Sequence, residues 1–235
     1  MRTSTTLASL WLTPMVLATF STLFGKNGPE RTTGKDASYK IESSLWRAAS
    51  EGTHFDNPKF ECKHKSQLEI YDAFKSMEGS VEKLTATIHP DAHFHVSGHH
   101  PLSGIYNGLD TFFVNSMWRL FKTYDDHIDE HTNNLLAISG GCDEEWSTQE
   151  TVQDIRSNVG KKYTIMTAWV TRWSEGKIVQ ARVYLDGGAV EELLHDNESW
   201  TNHTMDVIRE DYIPGPQGLP PKAMLEAMKV HKTDL

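Results

Sequence analysis

Two runs decide how this chain folds: His89-Pro-Asp-Ala-His-Phe-His-Val-Ser-Gly98 and Trp173-Ser-Glu-Gly-Lys-Ile-Val-Gln-Ala-Arg-Val-Tyr-Leu-Asp186. In the first, Pro90 stops a preceding helix and residues 93–97 alternate as a strand. In the second, Glu175-Gly176 between two arms rich in β-branched and aromatic residues predicts a hairpin with a two-residue loop. Between these runs, Leu109, Phe112, Phe113, Ser116, Met117, Leu120, Phe121 and Tyr124 recur at spacings of three and four, the period of an amphipathic helix. Shorter helices are expected over 66–77 and 80–88, and further strands over about 128–138, 145–155 and 163–173. Helices first and a curling antiparallel sheet afterwards predict an α+β cone: a curved sheet packed on about three N-terminal helices, enclosing an apolar pocket.

A two-residue hairpin loop sets Trp173 opposite Ile178, Trp169 opposite Arg182 and Thr167 opposite Tyr184. That register gives one uniformly apolar face, Met166, Ala168 and Val170 beside Val179, Ala181, Val183 and Leu185, expected to line the cone. The other face mixes Trp169, Thr171, Arg182, Tyr184 and Asp186.

The 235 residues, 38% of them hydrophobic, suffice for one core. A formal net charge of −9 argues against nucleic acid or an anionic membrane surface as partner. At the N-terminus, Arg2 precedes an apolar stretch over residues 7–24, the pattern of a secretory signal peptide over 1–25, with a membrane anchor as the alternative. Residues 26–65 read as a linker and N-terminal extension, 66–200 as the folded domain, and 201–235 as a Pro/Gly-rich extension with a short helix after Pro221. Asn197-Glu-Ser199 and Asn202-His-Thr204 match N-glycosylation acceptors. Cys62 and Cys142, the only cysteines, permit one disulfide in an oxidising compartment.

From Glu69 to about Leu194 the chain resembles the SnoaL-like branch of the NTF2-like (ketosteroid-isomerase-like) superfamily. The resemblance rests on His89-Pro-Asp-Ala, Phe94-His-Val-Ser-Gly98, Pro101-Leu-Ser-Gly-Ile-Tyr-Asn-Gly108 and the closing Gly176-Lys-Ile-Val with Arg182-Val-Tyr-Leu-Asp186. It implies a conical barrel, homodimeric in many members, whose pocket takes a hydrophobic small molecule. It also implies proton-transfer chemistry without a cofactor: a cyclase, isomerase or dehydratase acting on a polyketide- or terpenoid-like substrate. A non-catalytic ligand binder of the same fold is the alternative. Several members carry an acid on the last strand, whereas the inward positions read here are Ala181 and Val183.

The base is therefore sought among His95 and His93, which share one side of their strand, and His131 and Asp129 on the next. With Phe94 and Val96 as the natural inward pair, the alternative is that His93 and His95 are solvated. Asp186 is a further candidate on the face with Arg182 and Tyr184. Trp169 and Tyr184 are expected to orient the substrate, and Phe113 and Met117 to form the pocket wall. A His-x-His metal site would need further ligands at suitable spacing, and none follows; no metal is expected.

Overall fold

The structure, a computed structural model of the chain, describes residues 52–77, 81–125, 131–197, 208–213, 215 and 218–229. The signal-peptide segment, the anchor alternative over 7–24, Asp129 and Asn202 lie outside these residues. Among the described residues, no helix is long and apolar enough to cross a membrane.

Strand β1 (His54–Phe55) precedes helices α1 (Gln67–Met77) and α2 (Val81–Thr87). Ser66 and Glu69 begin α1 as a capping box: the Ser66 N–H and hydroxyl both donate to Glu69 Oε2 at 2.8 Å. The Ser66 backbone N–H, then its hydroxyl, holds the Glu69 carboxyl below the usual carboxylate range. Strands β2 (Ile88–Ser97) and β3 (Gly104–Asn107) lead to the long helix α3, residues 109–121. Its middle, Phe113–Trp118, is wound as a π-helix between α-helical Leu109–Phe112 and Arg119–Phe121. Gly108 stands just before it at φ 124°, a conformation L side chains avoid.

Four long strands then follow, β4 (Thr132–Gly140), β5 (Trp146–Arg156), β6 (Lys162–Ser174) and β7 (Lys177–Leu185), then α4 (Gly187–Asn197), β8 (Ile208–Arg209) and α5 (Lys222–Lys229). The sheet order is β1-β4-β5-β6-β7-β2-β3-β8. The run β4-β5-β6-β7 and the β2–β3 hairpin are antiparallel. The pairs β1–β4, β2–β7 and β3–β8 are parallel, so the sheet is mixed.

The β6–β7 hairpin corrects the expected register. Ser174 pairs with Lys177 and Trp173 with Ile178, but the next pair is Arg172 with Gln180. Val179 is thus an extra residue, a β-bulge that shifts all later pairs by one. Trp169 faces Val183 and Thr167 faces Leu185, rather than Arg182 and Tyr184. On β7, Ala181 and Val183 point inward and are buried. On β6 the inward set is Tyr163, Ile165, Thr167, Trp169, Thr171 and Trp173, while Met166, Ala168 and Val170 lie on the outer face, half-buried.

The main core lies between the sheet and helices α1, α2 and α3. It holds Ile70, Leu84, Phe94, Phe112, Ile138 and Trp173, with Met228 of α5 tucked beneath. A second cluster packs Val190, Leu193 and Leu194 of α4 against Ile165 and Phe121. The chain's last part is fastened to the back of α3. Asn115 Nδ2 donates to Asp211 O at 2.9 Å, and its Oδ1 accepts from the Ile213 N–H at 2.7 Å. The Tyr212 hydroxyl donates to Asp110 Oδ2 at 2.8 Å, and Trp118 Nε1 donates to Gly218 O at 3.0 Å.

Cys62 and Cys142 form a disulfide, Cα atoms 4.4 Å apart and 80 positions apart in sequence. It ties the segment before α1 to the β4–β5 turn, where the His64 N–H also donates to Cys142 O and the Cys142 N–H to Lys65 O. A crosslink closing so long a loop constrains the unfolded chain most. Reduction, or the Cys62→Ser/Cys142→Ser double variant, is expected to lower unfolding free energy by about 2–4 kcal/mol, measured by urea denaturation. A change under about 0.5 kcal/mol would show that the bond staples nothing.

Candidate functional site

Beneath the concave face of the sheet lies a chamber of about 110 Å³. Helices supply Phe74 and Met77 (α1), Leu84 (α2), and Phe112, Ser116, Met117, Leu120 and Phe121 (α3). The sheet supplies Phe94, Ile178, Val183 and Leu185, Trp169 and Thr167, and a polar group of Asn133, Thr151 and Gln153. Three ring contacts fix the aromatic wall. Phe94 stacks on Phe112 at 4.0 Å; Trp169 stands edge-on to Phe112 at 5.9 Å and to Phe74 at 6.2 Å. Such pairs add about 0.5–1.5 kcal/mol each beyond their buried area, so this wall is preformed.

Trp169 and Met117 line the chamber. Phe113 does not: it is wholly buried in the core behind the helix, against Trp118. Tyr184 is 45% exposed on the outer face of the sheet, opposite Ala168, where no ligand in the chamber can touch it.

The histidine assignments are corrected by strand phase. Phe94 and Val96 are the buried residues of β2, so His93 and His95 project from the opposite, outer face. His93 is exposed and its Nδ1–H donates to Asn107 Oδ1 at 2.9 Å, and His95 pairs with Arg182 across β2 and β7. Neither reaches the chamber. His131 is buried, but its Nε2–H donates to Asp125 O at 2.9 Å and its Nδ1 accepts the Arg156 N–H at 3.3 Å. Both ring nitrogens are committed to backbone, so the ring anchors the start of β4 and has no nitrogen left for a substrate proton.

Asp186 is also structural. Its Oδ1 accepts the Ala189 N–H at 3.1 Å and its carbonyl accepts the Val190 N–H, the pattern of a helix N-cap at the start of α4. Asn197 ends that helix, with Nδ2 donating to Leu193 O at 2.7 Å. Among the described residues, no ionisable side chain lines the chamber, and no three His, Cys, Asp or Glu side chains converge as metal ligands.

What sequence reasoning missed is the inner face of β5. Ser147, Gln149, Thr151 and Gln153 alternate along it and all turn inward. A polar residue at every second position reads as a solvent face, the reverse of its placement here. The face has two halves. At one end, Trp173 Nε1 donates to Ser147 Oγ (2.9 Å) and Thr171 Oγ1 (3.0 Å). Thr171 Oγ1 donates to Gln149 Oε1 (3.0 Å), and Gln149 Nε2 donates to Ser147 Oγ (2.6 Å). That network is closed. At the other end, Thr151 and Gln153 border the chamber, and Gln153 Oε1 accepts the Tyr124 hydroxyl at 3.4 Å. Burial pushes the Tyr124 phenol well above its ordinary pKa, so it keeps its proton.

A curved mixed sheet packs on helices around a mostly apolar chamber, the arrangement that the resemblance to NTF2-like proteins implies. The chain belongs to the family of the dimerizing cyclases. It is 37% identical over 217 residues to the dimerizing cyclase tstC of Talaromyces stipitatus, covering 90% of this chain and 94% of that one. It is 38% identical over 168 residues to the dimerizing cyclase phiC of a fungal species, covering 71% and 74%. No protein-family profile matches the chain. Solved structures of similar fold include an NTF2-like protein from Burkholderia thailandensis (22% identical, TM-score 0.45, 54% of this chain and 95% of that one). Another is a protein of ketosteroid isomerase-like fold from Catenulispora acidiphila (14% identical, TM-score 0.42, 58% and 99%).

The N-cap assignment of Asp186 has a direct test. Asp186→Ala is expected to cost about 1 kcal/mol of stability in denaturant unfolding and to leave ligand binding in the chamber intact. Lost binding or turnover at unchanged stability would return Asp186 to the site.

Proposed function

We propose that this chain is a cyclase acting on a hydrophobic, carbonyl-bearing small molecule held in the chamber, by proton transfer and without a cofactor. The observation that carries this reading is its 37% identity to a dimerizing cyclase across 90% of its length. The chamber supports it. An apolar, water-poor space strengthens every hydrogen bond made to a developing enolate, and donors fixed before the reaction need no reorganisation during it. Trp169, held edge-on by Phe74 and Phe112, supplies a rigid flat wall against which an unsaturated substrate packs.

The reaction has a simple readout. Purified chain incubated with enolisable polyketide-type intermediates in D₂O is expected to yield cyclic products carrying deuterium at the carbon that exchanged its proton, followed by mass spectrometry. Trp169→Ala is expected to lower kcat/KM at least tenfold, since it removes a large buried contact worth more than about 1.4 kcal/mol. Unchanged kcat/KM in that variant would move the reaction out of the chamber. A second reading, a non-catalytic binder, is favoured by one observation: the described chamber lining has no ionisable group. Saturable binding with no product and no exchange would select it.

We further propose that the outer face of the sheet pairs with a second copy of the chain. Met166, Ala168 and Val170 form a half-buried apolar stripe there, flanked by Tyr184 and by Arg182, whose guanidinium lies 4.7 Å from the centroid of Trp146. The word dimerizing in the relatives' names describes those proteins and fits either paired chains or joined substrates. Sedimentation should find a dimer, and Ala168→Arg, setting a charge in the middle of the stripe, should give a folded monomer. A monomeric wild type at micromolar concentration would refute the pairing.

A further inference from the structure

We infer that Gln153 is the hydrogen-bond donor of the chamber, set by Tyr124 to hold the carbonyl oxygen of a neutral ligand. The inner face of β5 carries this inference, because its two ends are treated differently. Ser147, Gln149, Thr171 and Trp173 consume one another's polar atoms. Gln153 lies two positions beyond Thr151 on the same face and borders the chamber. Its Oε1 receives the Tyr124 hydroxyl, whose proton burial retains.

Gln153 Oε1 is engaged by Tyr124, and its Nε2 is a donor on the chamber wall without a hydrogen-bond partner among the described residues. Gln153 is half-buried, so its Nε2 can donate to water or to a ligand oxygen that displaces water from the chamber. The oxygen is a neutral one, because no described lining residue is a cation that would offset a carboxylate's desolvation. The apolar side chains that share the chamber with the amide, Phe112, Phe121 and Leu185 among them, suit an aryl group beside that oxygen. Tyr124 is here a positioning residue, acting through the orientation of the amide.

Any role of Gln153 in turnover rests on the cyclase reading; the binding does not. The test uses the full chain with acetophenone, ethylbenzene and benzyl alcohol as probes, read by calorimetry and by the infrared carbonyl band of bound acetophenone. The wild type is expected to bind acetophenone most tightly and to shift its band to lower wavenumber. Gln153→Met should abolish the shift and weaken acetophenone roughly five- to tenfold, leaving ethylbenzene unchanged. Tyr124→Phe, which removes only the hydroxyl, should split or broaden the band as the amide turns over.

Five results would overturn the inference: no acetophenone bound, an unshifted band in the wild type, a shift that survives Gln153→Met, equal weakening of ethylbenzene, or benzyl alcohol bound more tightly than acetophenone. The last would mean that the amide presents its oxygen instead. A chain that shifts the band yet forms no product would refute the cyclase reading and keep this one. Turnover with an unshifted band would do the reverse.

Discussion

One extra residue, Val179, governs what the chamber is made of. Because strand side chains alternate, a single inserted position exchanges the two faces of everything paired beyond it. With the bulge, β7 keeps Ala181 and Val183 inside while β6 turns Trp169 and Thr167 inward. Without it, Met166, Ala168 and Val170 would face the helices, and the wall that Phe74, Phe112 and Trp169 build together would be absent. The bulk of Trp169 enforces the same choice from the other side. Its ring meets Phe74 and Phe112 inside the cone, and burying that much aromatic surface outweighs the small cost of one unpaired position.

The second constraint is hydrogen-bond accounting on β5. Polar side chains turned into a protein interior must find partners, since each one left alone costs as much as a mutation of ordinary severity. Under α1 the requirement is met internally by Trp173 and its three neighbours. Toward the chamber it is met only in part. The contrast separates a structural polar cluster from a polar surface that receives something, although both are written with the same residue types.

Much of the fold was legible before any coordinates. The spacing from Leu109 to Phe121 fixed the long helix, Glu175-Gly176 fixed the hairpin tip, and the helix-then-sheet order fixed the cone. Of the chamber, Met117 was read onto the wall, whereas the expected register set Trp169 on the face turned away from it. The chamber's chemistry was not legible, for three physical reasons. The bulge has no signature in local composition, because Ile178, Val179 and Gln180 read as ordinary strand. Histidines draw attention by their chemistry, yet their direction follows from Phe94 and Val96, the larger apolar partners that claim the inside. The inward amides and hydroxyls of β5 imitate a wet surface. Asp186 misled for a related reason: an acid just after a strand and just before a helix is as good a cap as it is a base.

The fastening of Asn115 to Asp211 and Ile213 sets an order of events during biosynthesis. Asn115 emerges from the ribosome 96 residues ahead of Asp211, the first of its two partners. Until that length has been translated, the rear of the helix that walls the cavity is bare, and its buried amide has only water to bind. A nascent chain halted short of Asp211 therefore lacks the segment that covers the rear of that helix, whatever the state of its strands.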